Sequence, residues 1–179
     1  EIEAVTGVQT CALPICIYDA MNKGIRCATG DYVGILNSDD VFSSTSTIEE
    51  LVKFLQANPA CDASYANLVF VERDNTEVVT RKYSSSGFSA WKIRFGFMIP
   101  HPTFYARRSL FEQFGYYKLG YRVSADFELM TRFISQGIKL ARHDVNMVKM
   151  RQGGISTTGF WWKIHQNMEI VREIGRAHV

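Results

Sequence analysis

One stretch limits the possible folds more than any other: a helical pattern, a glycine turn, a short apolar strand and then two adjacent carboxylates. Ile17, Met21, Ile25 and Ala28 recur on one face at helical spacing. Gly24 weakens that helix, and Thr29, Gly30 and Asp31 end it. Asp31–Leu36 then reads as a buried strand, bounded by the glycine turn on one side and by Asn37, Ser38, Asp39 and Asp40 on the other. Helix, turn, strand and polar loop in this order make the second half of a βαβ unit. They imply an α/β fold with a mainly parallel sheet flanked by helices.

The rest of the chain fits that architecture. Ser46-Thr47-Ile48-Glu49 and Thr47-Ile48-Glu49-Glu50 are overlapping capping-box patterns, followed by an apolar face of Ile48, Leu51, Val52 and Leu55. Asn58 and Pro59 stop this helix. Ala63–Val71 and the segment near Glu77–Tyr83 read as a hairpin, and Trp91–Phe97 as a short helix. Thr103–Ala106 is a predicted strand, and Arg107–Phe114 a helix closed by Gly115. Asp126–Gln136 is another helix, with Phe127, Met130, Phe133 and Ile134 inward and Gly137 beyond its end. Lys139–Arg142 and Val145–Met150 alternate like two strands. Residues 152–159 read as a glycine-rich loop and Phe160–Arg172 as a last amphipathic helix. Trp161 and Trp162 are adjacent and cannot both face inward from it.

The two ends look unlike the middle. Val5–Ile15 resembles the translation of a sequencing-library adapter, and Ile174–Val179 resembles the same adapter at the opposite end. Residues 1–15 and 173–179 are therefore expected to be foreign, leaving 16–172 as part of one domain cut from a longer gene. The net charge is +2, too balanced for a nucleic-acid partner on charge alone, and about +4 without the foreign segments. Cys27 and Cys61, without a metal-binding spacing, give neither a zinc site nor a disulfide framework and fit a reducing compartment. No apolar run is long enough to cross a bilayer.

Four places carry candidate chemistry. Asp39 and Asp40 follow a strand directly, where open α/β sheets bind ligands. Adjacent carboxylates repel unless a cation neutralises them. Mg²⁺ or Mn²⁺ takes one or two such ligands and completes its shell with phosphate oxygens. A solvated turn is the other reading of these residues. Asp126 stands at a helix start, where it serves as a cap or, alternatively, as a general base; Glu128 points to another face of the same helix. His101 is held between Pro100 and Pro102 in a segment expected to be extended, suited to orienting a substrate hydroxyl or to no role at all. Arg151 lies in a basic strand end that runs into Gly153 and Gly154, matching either a phosphate contact or a plain exit to a loop.

Together these stretches resemble family 2 glycosyltransferases of the GT-A fold, in particular the bacterial enzymes of exopolysaccharide, capsule and lipopolysaccharide synthesis. The resembling segments are Ile17–Gly24, Ala28–Asp40, Pro100–Phe104, Ser124–Leu129 and Lys149–Ser156, in the family's order. The resemblance implies a metal-dependent, inverting transfer of one sugar from a nucleotide-diphosphate sugar to a hydroxyl of a glycan or lipid-linked acceptor. It assigns Asp40 and Asp39 to the metal, with Asp39 also reaching the donor. Asp126 becomes the catalytic base, Lys23 and Arg151 belong to the donor side, and His101 and Glu128 to the acceptor side. The motif departs from the family's DxD pattern at Ser38, and Ala125 replaces an acid beside the base. The family's first strand is expected to lie upstream of Cys16, so the first β-α-β units are missing and the fragment alone is expected to be inactive. A cytoplasmic enzyme at the inner face of the membrane, peripherally associated with it, is implied. A non-catalytic glycan- or partner-binding module of the same fold and a nucleotidyltransferase are the alternatives.

Overall fold

The computed structural model describes residues 2–6, 17–121 and 124–152. The predicted loop at 153–159, the helix at 160–172 and both tryptophans in it lie outside the described residues, as do most of the two end segments. In chain order the elements are β1 (Ile2–Thr6), α1 (Ile17–Cys27), β2 (Tyr32–Leu36), β3 (Val41–Phe42), α2 (Thr47–Ala57), β4 (Ala63–Val71) and β5 (Val79–Tyr83). Two 3-10 turns follow, Ala90–Phe95 and His101–Thr103, then β6 (Tyr105–Arg107), α3 (Arg108–Phe114), α4 (Ala125–Ser135) and β7 (Leu140–Arg151).

The sheet runs β1-β2-β6-β4-β7-β3, with β5 on β4. β1 is parallel to β2 and β4 to β7, whereas β6 is antiparallel to both β2 and β4. The sheet is therefore mixed: β1, β2, β4 and β7 point one way and β3, β5 and β6 the other. β1 falls inside the segment read as foreign. Parallel pairing at an open edge uses backbone groups alone, so a short run of almost any β-compatible sequence can occupy it.

Alternation along the strands splits the core between the two faces. Val33, Ile35, Ala63, Tyr65 and Ala106 point to the side covered by α1, α3 and α4, where Phe111, Phe127, Leu129, Met130 and Phe133 pack. Tyr32, Ala66, Leu68 and Tyr105 point to the other side, against Leu51 and Leu55 of α2 and Met147 and Val148 of β7. All four residues expected inward on α4 are buried, and Gly137 closes the helix at φ +77°. The hairpin is present as β4 and β5.

Several expectations change in detail. The buried stripe of α1 is Tyr18, Asn22 and Ile25, with Ile17 exposed. The capping box of α2 does not form, because Ser46 is itself near-helical at φ −89° and ψ −4°, so its hydroxyl donates to Glu50 rather than accepting a helix N–H. The two strands expected at 139–150 are one, β7, with register shifts opposite Asn67 in place of a break. His101 sits in a 3-10 turn, not an extended segment. Pro100 is extended, but Pro102 accommodates a helical φ and Phe104 N–H closes the turn on the His101 carbonyl.

Candidate active site

Strand direction gathers the candidate residues. β2, β4 and β7 end at the same edge of the sheet, so Asn37–Asp40, Arg73–Asp74 and Arg151–Gln152 leave the sheet there. β6 runs the opposite way, so the 3-10 turn that precedes it arrives at that edge too. Thr103 fixes this turn: its Oγ1 donates to the Ala66 carbonyl at 3.0 Å and accepts the Ala66 N–H at 3.1 Å. Ligands of open α/β sheets bind at this edge.

The acidic loop is a tight turn in which Asp40 N–H donates to the Asn37 carbonyl at 3.1 Å. The turn points Asp39 into solvent and folds Asp40 inward, to 5% exposure. Asn37 Nδ2 donates to Asp40 Oδ2 at 3.1 Å, while Oδ1 is buried without a hydrogen-bond partner. Burial raises the Asp40 carboxyl to about 6. The Asn37 bond opposes the rise, the negative charge of Asp39 adds to it, and Arg151 opposes it. Arg151 Nη1 donates to the Asp39 carbonyl at 3.2 Å. Asp39, Arg73, Asp74, Arg151 and Gln152 line a cavity of about 210 Å³.

A dry, half-satisfied carboxylate beside an exposed one suits a divalent cation, which would bind the orphaned Oδ1 and remove the cost of its charge. Among the described residues no group of three or more His, Cys, Asp or Glu side chains is placed to hold a metal ion. A cation here would take most of its oxygens from a bound diphosphate or from water, as Mg²⁺ commonly does. The residues present fit such an ion.

The second group forms around Tyr117. Asn22 Nδ2 donates to the Tyr117 carbonyl at 2.8 Å, and Tyr117 N–H donates to Asn22 Oδ1 at 2.9 Å. Tyr18 stacks on the Tyr117 ring at 5.7 Å between centroids. The Tyr117 hydroxyl meets His101 Nε2 at 2.7 Å. Burial drives His101 below its ordinary value, and the negative charge of Asp126 pulls it back up. Burial, with the Asp126 charge adding to it, holds the Tyr117 phenol well above 10, so it stays protonated. Asp126 is half-buried in the first turn of α4, where its Oδ1 accepts the Phe127 N–H at 2.8 Å. Its charge is felt by both the buried imidazole and the buried phenol. Asn22 and Tyr117 were not singled out by the sequence. The readable signal was a polar side chain inside the inward stripe of a helix, which needs a buried partner.

Asp39, Asp40 and Arg151 therefore form one group and His101 and Asp126 another, both at the same sheet edge. Two expected residues fall elsewhere. Lys23 is half-exposed and pairs with Asp19 at 2.8 Å, one helical turn back on α1, outside the cavity. Glu128, expected on the acceptor side, lies in a buried ion-pair network. It is 2% exposed and accepts Arg132 Nε and Nη2 at 3.0 Å each, and its Oε1 lies 2.7 Å from Lys118 Nζ. Two residues past Asp126 the helix has turned through about 200°, so the two acids face different surroundings.

The family model for glycosyl transferase family 2 matches residues 17–114, more than half of the chain and all of the stretch from α1 through the acidic loop to His101. The chain belongs to glycosyl transferase family 2. It is 29% identical over 144 residues to a PGL/p-HBAD biosynthesis glycosyltransferase of Mycobacterium tuberculosis strain H37Rv, covering 79% of this chain and 54% of that protein. An uncharacterized glycosyltransferase of the same strain is 30% identical over 119 residues, covering 64% and 43%. The chain thus spans about half the length of the curated relatives it matches. Among solved structures, S. aureus TarS 1–349 superposes with a TM-score of 0.64 at 14% identity, over 89% of this chain and 44% of that one. Its complexes with UDP and with UDP-GlcNAc give 0.63 and 0.62, over 94% and 86% of this chain and 46% and 45% of those chains. The α/β architecture is that of these glycosyltransferases, the GT-A fold.

Proposed function

We propose that this family 2 domain transfers one sugar, with inversion, from a nucleotide-diphosphate sugar to a hydroxyl of a glycan or lipid-linked acceptor. The observation that supports it best is Asp40, buried at the carboxyl end of β2 with one oxygen unsatisfied. Asp40, helped by Asp39, would hold Mg²⁺ or Mn²⁺. When bound there, such a cation would supply positive charge to offset that of the leaving diphosphate. Arg151 adds a guanidinium to the cavity that Asp39 lines, suited to phosphate oxygens. Asp126 accepts the proton of the acceptor hydroxyl. As that oxygen bonds to the anomeric carbon, the bond from carbon to the diphosphate oxygen breaks and its electron pair leaves with the nucleotide. His101, neutral and tied to Tyr117, orients the acceptor hydroxyl. The nearest support for the donor class is that the TarS structures are described as complexes with UDP and UDP-GlcNAc. Cys27 and Cys61 are free thiols, in keeping with a reaction on the cytoplasmic side.

The test is Asp126→Asn in the full-length protein. General-base catalysis contributes ~10²–10⁴-fold, so transfer should fall by that order while donor binding, measured by calorimetry, stays unchanged. Near-normal turnover refutes the assignment of the base.

A further inference from the structure

The segment between β5 and the His101 turn exposes an aromatic surface that the proposed chemistry does not use. Trp91, Phe95 and Phe97 are 61%, 66% and 58% exposed. They are not scattered. Trp91 and Phe95 meet edge to face at 5.7 Å, and Lys92 Nζ lies 6.0 Å from the Trp91 ring and 5.9 Å from that of Phe97. Ile93 is buried and anchors the 3-10 turn, and Gly96 at φ +81° ends it, throwing Phe97 outward. Tyr83 OH donates to the Met98 carbonyl at 2.8 Å, joining the exposed strand β5 to the same surface. Burying three large aromatics is worth several kcal/mol in water, so their joint exposure on a small turn marks a surface built to be covered.

Charge identifies what covers it. Residues 78–100 hold Arg81, Lys82, Lys92 and Arg94 and not one Asp or Glu. Aromatics flanked by long basic side chains, with no acid among them, match the boundary of an anionic bilayer. There the rings enter the headgroup region while ammonium and guanidinium groups stay with lipid phosphates. Among the described residues no helix is long and apolar enough to span a membrane, so contact of this chain with lipid would be interfacial. The surface also stands close to the acceptor side: three residues separate Phe97 from His101.

We infer that the turn Ala90–Phe95 together with Phe97 is an interfacial anchor that seats the domain on an anionic lipid surface and so presents the His101 side to acceptors held in that surface. This deepens the proposed transfer to a lipid-linked acceptor, but its test does not pass through catalysis. The chain is mixed with vesicles of phosphatidylcholine alone or of equal parts phosphatidylcholine and phosphatidylglycerol, and the bound fraction is read by sedimentation. Binding is expected to the anionic vesicles and to weaken with salt. Lys92→Gln with Arg94→Gln should weaken it about 30-fold, at roughly fivefold per basic residue. Trp91→Ala with Phe95→Ala and Phe97→Ala should abolish it without lowering the melting temperature, since none of the three packs in the core. No binding to anionic vesicles, or binding indifferent to both sets of substitutions, overturns the inference. So does a dimer in sedimentation velocity that the aromatic substitutions dissociate, which would give the surface to a second copy. A fall in melting temperature in the full-length aromatic variant, with vesicle binding intact, would give it to another segment of the chain and likewise overturn it. Each of these failures leaves the transfer reaction to be judged by Asp126→Asn alone.

Discussion

Replacing Glu128 by Gln separates a structural carboxylate from a substrate-binding one. The side chain keeps its shape and loses its charge. In the structure that charge faces Arg132 through two contacts of 3.0 Å and Lys118 through one of 2.7 Å, at 2% exposure. Breaking a buried ion pair by removing one partner costs ~3–5 kcal/mol. Two features reduce the loss here. Arg132 also donates to the carbonyls of Phe114, Gly115 and Tyr116, so its guanidinium remains partly satisfied. Lys118 is half-exposed and returns to water. The expected cost is then about 2–3 kcal/mol. For a chain of this size that is a fall in melting temperature of about 4–12 °C. The assay is thermal unfolding followed by circular dichroism, paired with donor affinity by calorimetry, which should not change. Glu128 also ties α4 to the 114–116 turn just before Tyr117, so acceptor KM should rise modestly as that turn loosens. A variant as stable as the parent that has lost transfer would refute this reasoning and restore Glu128 to the acceptor site.

Asp40→Asn should remove a pH dependence. The raised carboxyl favours the protonated native state. Its contribution is therefore present below pH 3.8 and is lost as pH rises through about 6, a difference of about 3 kcal/mol at 1.36 kcal/mol per pH unit. In chelator the variant should match the parent near pH 4 and exceed it in stability at pH 7.5; parallel stability curves would contradict the burial argument. Gly34→Ala should destabilise by about 2–3 kcal/mol, because a Cβ there would sit 2.4 Å from the fully buried Tyr105 ring. Denaturant titration checks it, and Tyr105→Leu in the same chain should recover part of the loss.

Much of the framework was legible because period and punctuation agreed. α4 announced itself through Phe127, Met130, Phe133 and Ile134 and a terminal glycine, and β2 through a short apolar run between a glycine and an acidic loop. The order of strands was not legible, since pairing β6 between β2 and β4 is a long-range choice that no local pattern encodes. At the site, Asp40 was readable as an acid after a strand, but its inward turn depends on the Asn37 carbonyl and amide, which only the folded loop displays. Glu128 was legible in part, since the helix period already set it on another face from Asp126. What the sequence did not display is its burial and the contact with Lys118, which lies outside the helix. The Asn22–Tyr117 clamp spans almost a hundred residues, beyond any local pattern.

The shortest of the central strands has a consequence for how the domain is made. β2 and β4 do not pair with each other; β6 lies between them, all three of its residues pairing with β2 and Tyr105 and Ala106 pairing with β4. A chain emerging from the ribosome as far as Val71 therefore carries two unsatisfied edges with nothing to join them. The seam closes only after another three dozen residues have been made, and β7 comes later still. Late, distant pairing of this kind slows folding and leaves open strands exposed to other chains in the interval. Yield from expression should then be governed by the 105–107 segment more than by the helices, with chaperones earning their place at the moment the middle strand is still inside the exit tunnel.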